Sequence, residues 1–305
     1  MTRRARPAPP RARKRFGQNF LTDAAVIDRI AAAIDPRPGD HLVEIGPGRG
    51  ALTEALLPSG CRLDAIELDR DLSTPLLAAF SIYPGFRLHR ADALDFDYAT
   101  LLAPVAPRAA GVADAPAAPW RAAGDALRVV GNLPYNISTP LIFRLLDFAP
   151  LIRDMHFMLQ LEVVERLTAG PGSGHWGRLG IMVQYQCDTE LLFEVPPQAF
   201  EPRPKVQSAI VRLQPLPRPR WPDVPRAALA QVVQAAFAQR RKTLRNNLRG
   251  LFDARALEAL GIDPGARAKT LALSQFIALA RAHGDAQRRS GSDGGAGDPA
   301  PRARR

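Results

Sequence analysis

Cysteine is nearly absent: Cys61 and Cys187 stand alone in 305 residues, with no Cys-x-x-Cys pair and no Cys/His cluster. Neither a disulfide framework nor a zinc site is encoded, and a reducing cytoplasm fits. Long apolar runs are also missing. No stretch approaches the roughly 18–20 residues needed to cross a bilayer, and the opening MTRRARPAPPRARKR has no apolar leader segment. The expectation is a soluble, unsecreted chain with no metal and no membrane partner. Acid is scarce in two places. Residues 1–15 hold seven Lys and Arg and no acid; residues 201–250 hold eleven against Glu201 and Asp223. With a net charge of +11, these segments carry +7 and +9 and leave −5 for the remainder. Clustered Arg and Lys neutralise phosphates and release counterions, so two basic patches on a mildly acidic body point to a nucleic-acid partner. The prolines of the first segment oppose its alternative reading as an amphipathic organelle presequence.

What is present suffices for a folded core, since 46% of the residues are hydrophobic and the length suggests two domains. Helical spacing from Ala24 to Ala33 is followed by an apolar run, Leu42, Val43 and Ile45, then a tight turn at Gly46–Gly50 and a helix at Ala51–Leu57. The order repeats with a strand at Arg62–Leu68 and a helix at Asp71–Phe80, and further strands read at Phe86–His89, Leu127–Val130, the MHFMLQ run and Ala209–Leu213, the last near the sheet edge. Strands alternating with helices predict a parallel α/β sheet. Residues 103–126, dense in Ala and Pro, read as an inserted flexible loop. After a Pro-rich break at Pro215–Pro225 the pattern is purely helical: Arg226–Leu251, Ala254–Leu260 and Leu273–His283. Residues 1–15 read as a flexible arm and 284–305 as a disordered tail.

Two motifs carry chemistry. Gly46-Pro47-Gly48-Arg49-Gly50 lies between a strand and a helix, where glycine lets backbone amides approach a ligand. With Ala51 it also satisfies the dinucleotide fingerprint, so alone it does not separate NAD from S-adenosylmethionine. Glu67, at the end of the next strand, suits a ribose diol, and Asp92 an adenine amine. The second motif, Gly131-Asn132-Leu133-Pro134-Tyr135, ends a strand at the sheet edge and has no use in hydride transfer. An exocyclic adenine amine is a poor nucleophile because its lone pair is delocalised. An amide oxygen from Asn132 and a carbonyl from Leu133 or Pro134 can accept its two N–H bonds and aim the lone pair at a methyl group. Tyr135 offers a flat face to an unstacked base.

RKRFGQNFL (13–21), VEIGPGRGALT (43–53), IELDRDL (66–72), GNLPYNIST (131–139), PPQAFEPRPKVQSAIVRL (196–213) and FAQRRKTLRNNL (237–248) occur in this order. Together they make the chain resemble the small-subunit ribosomal RNA adenine N6-dimethyltransferases, over about Lys14 to His283. The resemblance implies a Rossmann-like methyltransferase sheet (16–215) with a small C-terminal all-helical RNA-binding domain (222–283). It implies transfer of methyl groups from S-adenosylmethionine to two neighbouring adenines near the 3′ end of 16S rRNA, within the small subunit or its precursor, by a monomer. It assigns cofactor contacts to Asn19, Leu21, Gly46, Glu67, Asp92 and Asn132. The target base falls to Asn132, Leu133, Pro134 and Tyr135, with Phe200 as the other wall, although by its own surroundings Phe200 reads as a core aromatic. Arg240, Arg241, Lys242, Arg245 and Arg249, on a helical segment packed down by Val233, Phe237, Leu244 and Leu248, are expected to grip rRNA phosphates. No general base is required, and no His stands near the Asn132 motif in the sequence. The chain departs from the pattern at Arg49 and Leu161, in Pro75, expected to interrupt the helix after Glu67, and in the length of the 103–126 insertion. Three rivals stand beside this reading: a DNA adenine N6-methyltransferase, a dinucleotide oxidoreductase, and a non-catalytic RNA-binding assembly factor.

Overall fold

The computed structural model describes residues 19–102, 126–216 and 224–292. The expected basic arm, nearly all of the 103–126 insertion and the centre of the Pro-rich break lie outside them. The described residues form two compact units, one of 19–102, 126–168 and 186–216, the other of 169–185 and 224–292.

The first unit begins with strand β1 (Phe20–Leu21) and helix α1 (Ala24–Ile34). Asp23 caps α1 by accepting the Val26 N–H at 3.1 Å, and the helix ends where Asp35 turns left-handed at φ 48°. Strands β2 (His41–Ile45), β3 (Arg62–Ile66), β4 (Phe86–His89), β5 (Leu127–Asn132) and β6 (Ile152–Gln160) follow, with α2 (Ala51–Leu56), α3 (Arg70–Phe80) and α4 (Ser138–Leu146) between them. After α5 (Leu161–Thr168) the unit closes with β7 (Cys187–Val195), the short β8 (Phe200–Glu201) and β9 (Ser208–Pro215). The seven-stranded sheet has the order β4-β3-β2-β5-β6-β9-β7, parallel from β4 to β6 and antiparallel thereafter. Every residue of β2 from Leu42 to Ile45 is buried, as a central parallel strand requires. The sheet is mostly parallel, as the alternation predicts, and β9 lies near its edge as expected, one strand in from the edge strand β7, which the sequence did not show. That strand, CDTELLFEV, mixes acids with apolar residues over one partly buried face and gives no continuous apolar run.

Two buried charge networks lock the layers. Arg128 of β5 donates to Asp154 of β6, to Asp40, and to the carbonyls of Ile34 and Asp35 at the end of α1. Asp64 of β3 meets His41 of β2 and His89 of β4 at 2.7 Å each and Arg62 at 3.0 Å. Burial alone would raise the Asp64 carboxyl, but the two histidine hydrogen bonds and the Arg62 charge reverse this and hold it well below the usual range. Pro75 does not interrupt α3. It sits on the exposed side while Leu72, Leu76 and Phe80 are buried, so the missing N–H is lost on the water side of a helix anchored by its apolar stripe.

The second unit contains α6 (Arg178–Gln184), α7 (Arg226–Ala236), α8 (Leu244–Asn247), α9 (Ala254–Ala259) and α10 (Leu273–Ser292). Three differences from the sequence expectation appear. Segment 169–185 belongs to this unit, tied in by Trp176 Nε1 donating to Leu271 O at 2.9 Å and Gly172 N to Lys269 O at 2.7 Å. The helix from Arg226 stops at Ala236, where the Asn247 amide donates to the carbonyls of Ala236 and Gln239 and Phe237 turns aside to stack on Phe276. The expected disorder from 284 is corrected up to Ser292, because α10 runs on through the polar residues once its first half is packed by Phe276, Ile277, Leu279 and Ala280.

Candidate active site

The C-terminal ends of β2, β3, β4 and β5 open into a cleft of about 260 Å³ in the first unit. This is where open α/β sheets place ligands. Its first wall is the glycine turn. Gly46, Gly48 and Gly50 all take positive φ, and a Cβ at Gly46 would meet no protein atom within 4 Å, so the backbone there faces open cleft. At Gly48 a Cβ would come within 3.2 Å of Phe20, which leaves little space for a side chain. Phe20 and Leu21 reach the cleft because β1 pairs antiparallel with β8 and Thr22 N donates to Ala199 O.

Glu67 forms the opposite wall. One carboxyl oxygen accepts the Asp69 N–H at 2.8 Å and the other the Gly48 N–H at 3.2 Å, which fixes its orientation. Burial raises its carboxyl above the ordinary value, against the lowering effect of those bonds. Asp92 accepts the Leu94 N–H at 2.9 Å in a turn that also brings Ala91 and Ala93 to the cleft.

The third wall is the end of β5. Gly131 is obligatory there: a Cβ would lie 2.5 Å from Ile45 O of the neighbouring strand. Asn132 donates its amide N–H to Asn19 O at 2.9 Å, which leaves its side-chain oxygen for a donor in the cleft. Leu133 is buried with its N–H on Met158 O, and Pro134 O accepts the Ile137 N–H. Tyr135 is half-buried, its hydroxyl 2.8 Å from Ser208 Oγ of β9.

All the expected cofactor and base residues but one therefore line a single cleft: Asn19, Leu21, Gly46, Glu67 and Asp92 together with Asn132, Leu133, Pro134 and Tyr135. Phe200 is the exception. It is 3% exposed, paired with Leu21 and packed in the hydrophobic core, and is not among the lining residues. Through its pairing with Leu21, β8 uses this aromatic to hold β1 down. Arg240, Arg241, Lys242, Arg245 and Arg249 are all exposed on the second unit, but only Arg245 lies on a helix, α8; Arg240, Arg241 and Lys242 lie on the turn after α7 and Arg249 on the turn after α8. Arg240 donates to Gly174 O, which brings the glycine-rich 170–174 loop beside that turn.

The cleft also holds residues to which the sequence assigned no role in binding. Leu68 is 52% exposed and lines the cleft directly after Glu67. Arg49 lies over the Phe20 ring at 4.3 Å. His156 of β6, 4% exposed, lines the same cleft as Asn132 although 24 positions away in sequence. Its Nδ1 lies 3.5 Å from Asp154 Oδ1. Glu44 is buried in the floor and accepts the Thr53 hydroxyl at 2.6 Å. Burial pushes its carboxyl up to about 7, an effect that Thr53 opposes and the Glu67 charge reinforces. Only His156 stands outside the sequence motifs, brought in by the register of β6 against β5; Glu44, Arg49 and Leu68 lie within motifs whose neighbouring residues drew the functional reading.

The lining includes the acids Glu44, Glu67, Asp69 and Asp92 against Arg49 and His156. Such a cleft suits a nucleoside ligand bearing positive charge and opposes a dinucleotide's pyrophosphate, whose natural partner, the Gly48 amide, is already bonded to Glu67. Among the described residues no His, Cys, Asp or Glu cluster could hold a metal ion, and no helix is long and apolar enough to cross a membrane.

Comparison with known proteins agrees. The chain is 56% identical over 277 residues to ribosomal RNA small subunit methyltransferase A of Pseudomonas putida, covering 91% of this chain and 97% of that one. It is 56% identical over 270 residues to the protein of the same name from Pseudomonas aeruginosa, covering 88% and 94%. Among solved structures, the 23S rRNA methyltransferase ErmE matches with a TM-score of 0.65 at 26% identity, over 86% of this chain and 98% of that one. A dimethyladenosine transferase from Plasmodium falciparum shares the fold with a TM-score of 0.70 at 24% identity, over 87% and 98%. The model of the ribosomal RNA adenine dimethylase family matches residues 10–283, and the chain, with this cleft and this sheet, belongs to that family.

Proposed function

We propose that the protein transfers methyl groups from S-adenosylmethionine to N6 of two adjacent adenines near the 3′ end of 16S rRNA, in the small ribosomal subunit or its precursor. It acts as a cytoplasmic monomer. The observation that carries this reading is that the Asn132–Tyr135 tetrapeptide and the Gly46–Glu67 walls face one cleft. S-adenosylmethionine supplies the sulfonium methyl group. Asn19, Leu21, Gly46, Glu67 and Asp92 would hold it, with Glu67 taking the ribose hydroxyls and Asp92 the adenine amine.

Asn132 Oδ1 accepts one N–H of the target amine. Pro134 O is already engaged by Ile137, so Leu133 O is the acceptor for the second. Tyr135, its hydroxyl tethered to Ser208, stacks on the base, a contact worth about 1–3 kcal/mol. Catalysis is then positioning and charge complementarity, and the proton leaves N6 once alkylation has made it acidic. Arg240, Arg241, Lys242, Arg245 and Arg249 hold rRNA phosphates. The test is Asn132→Ala with labelled donor and unmethylated small subunits, followed by mapping of the modified nucleotides. Loss of methylation with an unchanged melting temperature is expected; activity near that of the parent protein would defeat the assignment.

A further inference from the structure

Glu44 has no place in the scheme above, yet it is the most deeply buried acid of the cleft. It is 2% exposed at the floor, under the glycine turn, and its hydrogen bond comes from the Thr53 hydroxyl of α2 at 2.6 Å. No lysine or arginine is paired with it among the ion pairs of the described residues. The charged and titratable groups sharing its cleft are Glu67 and Asp69 from the segment after β3, Asp92 from the turn after β4, Arg49 from the glycine turn, Tyr135 from the turn after β5 and His156 from β6. A buried carboxylate held only by the hydroxyl and backbone N–H of Thr53, with a second carboxylate nearby, is poorly compensated. The deficit is met either by a proton or by a cation entering the cleft.

We infer that Glu44 is a proton-linked specificity residue: it carries a proton when the cleft is empty and releases it to solvent when the cationic donor binds. No covalent bond changes in this step. One proton passes from the carboxyl to water and the ligand's positive charge replaces it. The inference rests on the reading that S-adenosylmethionine is the donor. That donor carries net charge +1, whereas S-adenosylhomocysteine, the product left after methyl transfer, has an uncharged sulfur and is neutral overall. The product gives less compensation to an ionised Glu44, so the same group helps the cleft favour fresh donor over spent product.

The surroundings of Glu44 place its titration at about pH 7 in the empty protein. Donor binding at that pH should therefore release about half a proton, and donor affinity should fall about tenfold from pH 8 to pH 6. Calorimetric titration of the full chain with S-adenosylmethionine, in two buffers of different ionisation enthalpy, counts the protons directly. The expected result is release near pH 7 with the donor, markedly less with S-adenosylhomocysteine, and none with the donor on Glu44→Gln. Should that variant fail to fold, Thr53→Val serves instead: without the hydroxyl that favours the ionised form, the midpoint of release should move to higher pH. Equal release with donor and product, release that persists in Glu44→Gln, or a midpoint unmoved in Thr53→Val would each overturn the inference. Absence of any donor binding by the unaltered protein would instead overturn the functional reading beneath it.

Discussion

Gly131 offers a perturbation whose size follows from the backbone alone. A Cβ built there lies 2.5 Å from Ile45 O and 3.2 Å from Leu133 Cδ2. Real Cβ atoms essentially never approach closer than 3.0 Å, so Gly131→Ala requires β5 and β2 to separate by at least the 0.5 Å difference. The obstacle is a carbonyl of a central strand, paired on both sides, and not the end of a flexible side chain. Overpacking of this kind costs about 1–3 kcal/mol. At about 2–4 °C per kcal/mol for a unit of this size, the melting temperature should fall by roughly 2–12 °C. Asn132 follows directly and must move with the strand. If a 1 Å displacement of a positioning group costs about a hundredfold, half that distance should cost about tenfold in kcat. Thermal denaturation followed by circular dichroism, with single-turnover methyl transfer on unmethylated small subunits, measures both. An alanine variant with the parent's melting temperature and kcat would refute the claim that the β5–β2 contact sets the position of Asn132.

Two further predictions address stability and substrate. Asp64→Asn removes the charge that His41, His89 and Arg62 share, and loss of one member of such a buried group costs about 3 kcal/mol or more. Because the folded-state Asp64 carboxyl is depressed, its contribution is complete above the ordinary carboxylate range, begins to fade as pH falls below that range and is gone only below the folded value. The gap between the denaturant midpoints of parent and variant should therefore be full at pH 7 and begin to narrow below about pH 4; a gap independent of pH would refute the charge argument. Replacing Arg240, Arg241 and Lys242 together with Gln should weaken binding to small subunits and lower the slope of log affinity against log salt by up to about 3, while donor binding stays unchanged; an unaltered slope would remove this turn from the RNA interface.

The parts of the molecule that the sequence displays are those where chemistry constrains neighbouring residues. The glycine turn and the Gly131–Tyr135 string are contiguous because a backbone cradle and a strand-end acceptor pair are each made by a few consecutive residues. Even Gly131, read only as the start of a motif, proves to be there because of Ile45 O on another strand. Strand β7 and segment 169–185 were not legible, since one depends on pairing with β9 and the other on partners such as Leu271 and Lys269, some hundred positions on.

Phe200 and His156 show the same limit from opposite sides. Phe200 stands in a sequence motif, yet its pairing with Leu21 and its burial in the core come from a partner some 180 positions away. No motif contains His156, yet its register beside Val130 of β5 sets it in the cleft that Asn132 lines. Proximity in sequence therefore reports the acceptors that must act together on one amine, whereas the electrostatic character of the cleft comes from burial and register. Glu44 depends on both. Its position two residues before Gly46 is local, but its unusual protonation exists only because the fold removes water from it and sets Glu67 close by. The same motif on an open, hydrated sheet edge would keep its glycine turn and its acceptors while losing the proton linkage, so cofactor binding and cofactor discrimination rest on different levels of this structure.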